Sequence, residues 1–572
     1  MRAGRRTGGP GARDRRGARR ARGEVARGER AEAREGHAGL VRSVRGRDGE
    51  RPRREPRGLG RRRPLAPGAR GCGAAQRGQR EGRARRGAPV PALRPARRGL
   101  ESAADGSAIV RGQGTVPRLA INRRRYELAC GAVLLVSARP GSPVTSIRAT
   151  VRGGSALDPP GKEGLAYLTG SLIDQGTQRH TEAELANLLE PEGGDVAGDA
   201  GGVGGSIASG SWKLLVEVIA ELLTSPTYPH EAVARQKERL LARLLVERDD
   251  PRSQVAKLFR KLVYGEHWLG RPTYGSIESV ARLAPKDLRA HHRAHWLGKR
   301  CVIGVCGDVD PDEVHRLLAR KLAGWKVGAL PRREPPRFPA LGRRFGTFPA
   351  DRQQVHLYLG HLGIERGHPN YPALVVMDHI LGTGPGFTNR ISRRLRDELG
   401  LAYSVSADIH SSASLHRGTF TAYIGTSPEH VPTALAGFLD EIRAIQAKKV
   451  TRHELELAKN YLLGSFVLGF ERASRRATYL VAAEIQAFPA DELTRLPQKF
   501  AAVTADDVRR VAREHLFPDD CCVAASGPLT RKALAGAMPA RASRSQRGMR
   551  SSSAIPKRPS RRGASPTRKT SR

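Results

Sequence analysis

Residues Gly161–Thr177 read GKEGLAYLTGSLIDQGT, and this stretch decides how the rest of the chain is interpreted. It follows Val144–Val151, where apolar and polar residues alternate in the pattern of a strand with one buried face. The stretch itself predicts a short helix over Leu165–Asp174, which begins after Gly164 and is followed by Gly176.

The same stretch resembles the zinc-binding helix of the M16 proteases, the family of insulinase, pitrilysin and the mitochondrial processing peptidases. That family has an inverted H-x-x-E-H motif here, in which two His one turn apart hold Zn²⁺ and the Glu between them activates a water. In this chain the His positions are Tyr167 and Ser171, and the Glu position is Gly170. The flanking Gly-Leu-Ala and Gly-Thr are kept. The resemblance therefore implies a retained fold with a degenerate zinc site.

The third zinc ligand of the family is a Glu, eight or nine residues before the Pro of an Asp-Asp-Pro turn. Counting back from Pro251 reaches Arg243 or Ala242, and neither side chain supplies an anionic oxygen. An Arg near a bound dication would oppose it, since two unit charges a few ångströms apart interact by about 4 kcal/mol at an effective dielectric constant near 20. We therefore expect no metal bound by this chain, and the resemblance places the zinc in a partner subunit.

The positive charge is concentrated at the two ends of the chain. Residues 1–115 hold 32 Arg against 11 acidic residues, and residues 541–572 hold 11 Lys and Arg with no acidic residue. The ends therefore account for most of the formal net charge of +44. Low apolarity and high net charge predict that 1–115 and 538–572 are disordered.

The Arg-rich extension allows three interpretations. It contains no Lys, whose first occurrence is Lys162, and no Phe, Tyr or Trp, the first of which is Tyr126. Arg without Lys among Gly, Ala and Pro is typical of GC-rich DNA translated upstream of a true start. A nucleic-acid-binding arm or an inert tail are the alternatives, and nucleic acid is expected only through the tails.

Targeting signals indicate the compartment of the protein, and cysteine spacing indicates the role of its thiols. The N-terminus is charged and lacks the apolar core of a signal peptide. The sequence contains no run of about 18 apolar residues, so it predicts no membrane span. We expect a cytoplasmic protein, or a periplasmic one if the start is mis-assigned, with no membrane partner. The six Cys form no C-x-x-C pair, which favours buried thiols over a metal or redox site.

The body of the chain reads as two copies of one α/β unit. Each copy has an alternating strand, a helix, a pair of amphipathic helices and a closing strand in the same order. The Pro- and Arg-rich stretch 331–345 reads as a linker between domains 116–330 and 346–537. The M16 resemblance covers both and implies an α+β fold of two tandem, homologous α/β-roll domains.

A second constellation lies in the second copy, where Gly400–Val405 reads GLAYSV after an Arg-rich helix. This matches the G-L-A-Y-S-V segment of the M16 family. Gly400 predicts the left-handed cap that ends the helix. In the family, the Arg and Tyr seven apart, here Arg396 and Tyr403, hold substrate carbonyls and assist the transition-state oxygen above the zinc. An exposed helix Arg and a half-buried strand Tyr are the alternative.

Three weaker signals receive structural interpretations. Leu381–Gly386 reads LGTGPG and lacks the Lys-Ser/Thr of a phosphate-binding loop, so a structural turn is favoured. Gly193–Gly210 lies where the family has a substrate-pairing edge strand, but its Gly content weakens a strand. His291 and His295 have a two-ligand spacing on a helix, without an acidic or Cys third ligand close in sequence.

These features favour a non-catalytic subunit of a heterodimeric M16 zinc metallopeptidase. The resemblance implies that such a subunit forms half of a chamber around unfolded peptides and supplies Arg396 and Tyr403 to a zinc-bearing partner, and that alone it is inactive. A scaffold that keeps only the fold, as in respiratory-complex core subunits, is one alternative. A nucleic-acid-associated protein acting through the basic tails is the other.

Overall fold

The computed structural model describes residues 116–330, 336–384 and 388–541, so the predicted extension 1–115 and residues 542–572 lie outside the described residues. Eleven strands form two sheets in the described residues. In chain order, the strands are β1 Arg124–Glu127, β2 Val133–Ala138, β3 Val144–Val151, β4 Asp195–Asp199, β5 Gly202–Ala208, β6 Cys301–Gly307, β7 Arg344–Pro349, β8 Val355–Leu362, β9 Val405–Asp408, β10 Thr419–Thr426 and β11 Cys522–Gly527.

The two sheets share one topology. The first sheet has the order β1-β2-β6-β3-β5-β4, and the second has β7-β11-β8-β10-β9. Apart from the added β1, each sheet has one parallel pair, β2 with β6 and β7 with β11, followed by antiparallel neighbours. The strand that follows the first helix of each half, β4 or β9, lies at a sheet edge. This repeated order confirms the α+β fold of two homologous rolls.

Fifteen α-helices are present in the described part of the chain. They are α1 Leu165–Ser171, α2 Glu182–Leu189, α3 Trp212–Thr224, α4 His230–Asp249, α5 Pro251–Tyr264, α6 Ile277–Arg282, α7 Pro285–His295, α8 Pro311–Lys321, α9 Tyr371–Asp378, α10 Val431–Ala447, α11 Arg452–Leu468, α12 Ala473–Ile485, α13 Glu492–Ala502, α14 Ala505–His515 and α15 Arg531–Ala537. Two π-helical segments, His379–Thr383 and Ser392–Glu398, follow α9.

Each half contributes one helix to the sheet of the other half. Helix α5 packs on β8 and β11 through Val255, Phe259 and Val263. Helix α12 packs on β3 and β6, and its Leu480 and Val481 join the core cluster that covers the outer face of the first sheet. The sequence did not indicate this exchange, because helical periodicity does not identify the sheet against which a helix packs. The predicted domains 116–330 and 346–537 therefore share elements across the predicted linker.

The ends of the helices follow the capping rules on which the sequence interpretation relied. Asp310 accepts the N–H of Glu313 at 2.7 Å before α8, and Thr451 forms a capping box with Glu454 before α11. The predicted tail begins too early, however. Met538 is buried, and the Pro539 carbonyl accepts a hydrogen bond from Arg343 at 2.9 Å, so the first tail residues pack on the body.

Two further expectations concern cysteines and membrane spans. The five cysteines in the described residues, Cys130, Cys301, Cys306, Cys521 and Cys522, are free and buried, as small apolar side chains are. Cys72 lies outside the described residues. No helix in the described ranges is both long and apolar enough to cross a membrane.

Candidate functional site

The degenerate zinc helix α1 is held at its start by a buried carboxylate. Asp158 accepts the backbone N–H groups of Gly164 at 3.0 Å and Ala166 at 2.7 Å. Burial raises the pKa of Asp158 to about 6, although the two amide hydrogen bonds act in the opposite direction. Gly164 takes a left-handed conformation with φ of 94°, which explains why the family frame keeps Gly at this turn.

At Gly170, where the family has its catalytic Glu, helix α1 contacts strand β4 backbone to backbone. A Cβ added to Gly170 would lie 1.7 Å from the carbonyl oxygen of Asp199. A Cβ added to Gly198 would lie 2.0 Å from the carbonyl oxygen of Gly170. No side chain fits between the helix and the strand at this position. Gly170 therefore lacks the general base, and the contact leaves no room for one.

An aromatic and cation–π stack occupies the positions of two former ligands. The ring of Tyr167 meets that of Tyr274 edge to face with centroids 4.6 Å apart, and the Arg243 guanidinium lies 4.0 Å from the centroid of Tyr274. Arg243 also pairs with Glu247 at 3.1 Å, and Glu247 pairs with Lys257 at 2.9 Å. The stack joins α1 to α4 through contacts that need no metal.

The remaining groups do not fit zinc either. The hydroxyl of Ser171 donates to the carbonyl of Leu168 in its own helix at 3.4 Å, and burial raises the pKa of Tyr167. The alternative third position, Ala242, has only a methyl group. A phenol, a hydroxyl and a guanidinium do not form the N, S and carboxylate set that Zn²⁺ takes, so no catalytic step can be assigned to zinc at this position.

The histidine pair in α7 lies in a different environment from a metal site. The rings of His291 and His295 are 4.6 Å apart, and burial lowers the pKa of His291 to about 3. Arg300 lies 3.3 Å from Nδ1 of His295. A buried and a half-buried imidazole, both with a pKa lowered by burial and by the Arg300 guanidinium, favour the structural interpretation.

The second constellation begins with a helical segment that ends as the sequence predicts. Gly400 has φ of 63°, and the N–H of Leu401 donates to the carbonyl of Leu395 at 2.9 Å. Leu395 and Leu401 are both buried, which gives this end the apolar contact that accompanies a left-handed cap. The chain then leaves the helix towards β9 through Tyr403.

A partly buried ion pair that the sequence did not indicate anchors this segment. Arg390 donates two hydrogen bonds to Glu454, at 2.7 and 2.9 Å, and Glu454 also caps α11 through Thr451. Burial alone would raise the pKa of Glu454, but Arg390 and Thr451 outweigh it and lower the pKa to about 2. The T-x-x-E capping motif was the available signal, although it did not identify Arg390 as the partner.

Arg396 and Tyr403 differ greatly in exposure. The Arg396 side chain is 16% exposed and pairs with Asp397 at 2.8 Å. Tyr403 is 94% exposed, although aromatic side chains usually bury much of their surface. The alternative interpretation, a half-buried strand Tyr, is therefore wrong, and the ring lies in the loop just before edge strand β9.

The Gly-rich segments are explained by close backbone approach. Gly193–Gly210 contains the hairpin β4–β5, where a Cβ on Gly202 would lie 2.0 Å from the Ala149 carbonyl and a Cβ on Gly205 would lie 2.4 Å from the Asp195 carbonyl. In Leu381–Gly386, the first three residues belong to the π-helical segment after α9, while Pro385 and Gly386 lie outside the described residues. The strand glycines allow the tight packing that bulkier residues would prevent.

Sequence reasoning missed a polar cluster in the second half, at the junction of α9 and β9. Asp378, Asp408 and His410 each place one potential ligand atom within 4.8 Å of the others. It is the one group of at least three converging metal-ligating side chains within the described ranges. The D-x-H pattern after the strand was a signal in the sequence, but the distant Asp378 could not be joined to it without the fold.

Comparisons with known proteins show which family this chain is similar to. Residues 282–462 match the family model described as Peptidase M16 inactive domain. A relative named as an uncharacterized zinc protease of Streptomyces coelicolor is 26% identical over 407 residues, which span 69% of this chain and 87% of the relative.

Two solved structures show similar folds. The crystal structure of a peptidase M16 inactive domain from Pseudomonas fluorescens has a TM-score of 0.67 at 24% identity, covering 72% of this chain and 99% of that one. A chain of Complex III2 from Candida albicans has a TM-score of 0.61 at 17% identity, covering 73% and 99%. Residues 282–462 thus match the M16 inactive-domain model, and a larger part of the chain is similar in sequence and in fold to M16 proteins.

Proposed function

We propose that the chain is a non-catalytic subunit of a heterodimeric M16 metallopeptidase. It pairs with a zinc-bearing M16 subunit, forms half of a chamber for unfolded peptides and presents Arg396 and Tyr403 to the substrate in that chamber. The observation that carries the proposal is the 94% exposure of Tyr403, beside an edge strand and next to an anchored helical segment.

We expect the isolated chain to be inactive because backbone and side chains that are not zinc ligands occupy its own zinc position. The backbone contact between Gly170 and Asp199 leaves no space for a general base, and the former ligand positions carry a phenol, a hydroxyl and a guanidinium. Hydrolysis of a peptide bond would therefore depend on zinc held by another subunit.

The chemistry of Arg396 and Tyr403 suits a role in binding and stabilising peptide carbonyls. A guanidinium is always charged and presents several N–H donors, and a phenol donates one O–H. Strand β9 pairs only with β10 in the described residues, so its second edge can pair with an extended peptide. The Arg390–Glu454 pair supports this function because it fixes the segment that carries Arg396.

A complementation assay tests the proposal. The full chain, an H-x-x-E-H M16 subunit from the same genome, and an equimolar mixture are each incubated with a quenched fluorescent peptide. We expect cleavage only by the mixture, and chelation of zinc abolishes it. A catalytic subunit that is fully active alone and unchanged by the present chain would contradict the proposal.

The scaffold alternative is favoured by one observation, the similarity of fold to a chain of Complex III2. On that hypothesis the chain would assemble with other subunits, while Arg396 and Tyr403 would not affect peptide cleavage. A stable complex that shows no peptidase activity in the complementation assay would support the scaffold.

A further inference from the structure

The polar cluster at the junction of α9 and β9 contains a buried carboxylate that is only half satisfied. Asp378 is 0% exposed. Its Oδ2 accepts the backbone N–H groups of Ile409 at 2.8 Å and His410 at 3.0 Å, and it lies 2.6 Å from Nδ1 of His410. Its Oδ1 has no hydrogen-bond partner among the described residues.

A fully buried carboxylate oxygen without a protein partner is poorly solvated, so a polar or cationic ligand at this position would stabilise it. A buried polar atom without a partner destabilises the folded chain, and it does so more strongly if it is charged. A bound cation would satisfy Oδ1 and stabilise the ionised carboxylate at the same time.

The neighbouring side chains supply a suitable ligand set. Asp408 lies half-exposed at the end of β9, and the His410 side chain is 19% exposed, so solvent can reach the cluster from this side. The three ligand atoms lie within 4.8 Å of one another. Ligands about 2.0–2.2 Å from a zinc ion are separated by at most roughly 4.4 Å, so small side-chain movements would close the site.

We propose that Asp378, Asp408 and His410 bind a divalent first-row transition cation, and that the ion ties the end of β9 to α9. One imidazole and two carboxylates suit Zn²⁺ or Mn²⁺ better than Ca²⁺, which takes six to eight oxygens. The site lies in the opposite half from the degenerate zinc helix, so its role is structural. It amends the expectation that this chain binds no metal, and it does not depend on the proposed peptidase partner.

Zinc titration of the full, tag-free chain tests the site. After removal of metal with a chelator, calorimetry with Zn²⁺ alone should give one site per chain. Asp408→Asn and His410→Gln should each weaken binding by at least about 100-fold, the upper end of the effect reported for residues that only support a ligand. His295→Gln, which changes a histidine outside the cluster, should leave the affinity unchanged.

A second measurement guards against variants that fail to fold. Co²⁺ bound to the wild-type chain should give the weak visible bands of nitrogen and oxygen ligation. Failure of the wild-type chain to bind Zn²⁺ and Co²⁺ would overturn the proposal. So would equal affinity in folded Asp408→Asn and His410→Gln, or an intense thiolate band with Co²⁺.

Discussion

The contact of α1 with β4 and the contact of the segment His379–Thr383 with β9 use the same backbone device with different side chains. Gly170 meets the carbonyl of Asp199, and a Cβ on Gly382 would lie 2.4 Å from the carbonyl of Ala407. In each half, a glycine without a side chain lets an edge strand lie directly against the helix. The repeated fold therefore preserves the contact independently of the chemistry around it.

The residues just before these two glycines differ. Ala166 and Tyr167 precede Gly170 by four and three residues and contribute an apolar methyl group and a ring in edge-to-face contact with Tyr274. Asp378 and His379 stand at the same distances before Gly382 and bring a buried carboxylate and an imidazole. Of these four residues only Asp378 belongs to the proposed cation site, so the second half has a candidate ligand where the first half has the methyl group of Ala166.

The largest expected change in the free energy of unfolding comes from the contact between Gly170 and the Asp199 carbonyl. Gly170→Ala should destabilise the chain by at least about 3 kcal/mol, because the added methyl group overlaps the Asp199 carbonyl and overpacking moves backbone. Urea unfolding followed by circular dichroism gives the change in midpoint.

Gly464→Ala is the matched control for that substitution. Gly464 lies inside helix α11 with nothing within 4 Å of an added Cβ, so the change should stabilise the chain by about 0.5–1 kcal/mol through helix propensity. Equal, small effects at both glycines would show that the zinc position is open and that the contrast between the two halves is wrong.

The next effect concerns the anchor of the Arg396 segment. Glu454→Gln should cost about 2 kcal/mol near pH 7, because the Arg390 guanidinium, whose side chain is 12% exposed, loses its charged partner. The pKa of Glu454 is depressed to about 2 from 4.5, so its contribution is complete above about pH 4.5 and is lost as the pH falls towards 2.

Unfolding measured between pH 7 and pH 2 separates this effect from general acid destabilisation. The difference between wild type and Glu454→Gln should shrink across that window. Glu456→Gln, on the same helix and 4.0 Å from Lys459, should differ from wild type by less than about 0.5 kcal/mol throughout. A constant difference for Glu454→Gln would exclude the ion pair as its cause.

The smallest effect concerns the stack that replaces the ligands. Tyr274→Leu should destabilise the first half by about 1 kcal/mol, because it removes the edge contact with Tyr167 and the cation–π contact with Arg243 but keeps apolar volume. A double-mutant cycle with Arg243→Met measures the coupling. Additive effects would mean that the stack does not stabilise the closed site.

The sequence carried local information well and long-range information poorly. The caps at Asp310 and Thr451 and the left-handed Gly400 depend on neighbours within a few residues, and the structure contains all three. The requirement for glycine at position 170 comes from its contact with Asp199, which is distant in sequence. The family motif showed that the general base was missing, but only the fold shows that the backbone of Asp199 occupies its place.

The same limit explains why the sequence did not indicate the polar cluster or the high exposure of Tyr403. Asp378 approaches His410 only because β9 returns to the end of α9, and no periodicity encodes that return. A strand directly after the helix cap at Gly400 would have included Tyr403, whereas β9 begins two residues later, at Val405, and leaves the ring in solvent.

The turnover number of the reconstituted heterodimer tests the central claim most directly. Arg396→Ala and Tyr403→Phe should each lower kcat by at least about tenfold, since one positioned donor contributes roughly 10²–10³ in rate. Arg394→Ala, on the same segment but paired with Glu398, and Tyr461→Phe, which is 42% exposed, should cleave peptide like wild type. Assembly and the melting temperature should change little in all four. If Arg396→Ala and Tyr403→Phe assemble and cleave peptide at the wild-type rate, the pair has no part in the partner's chemistry and the account is contradicted.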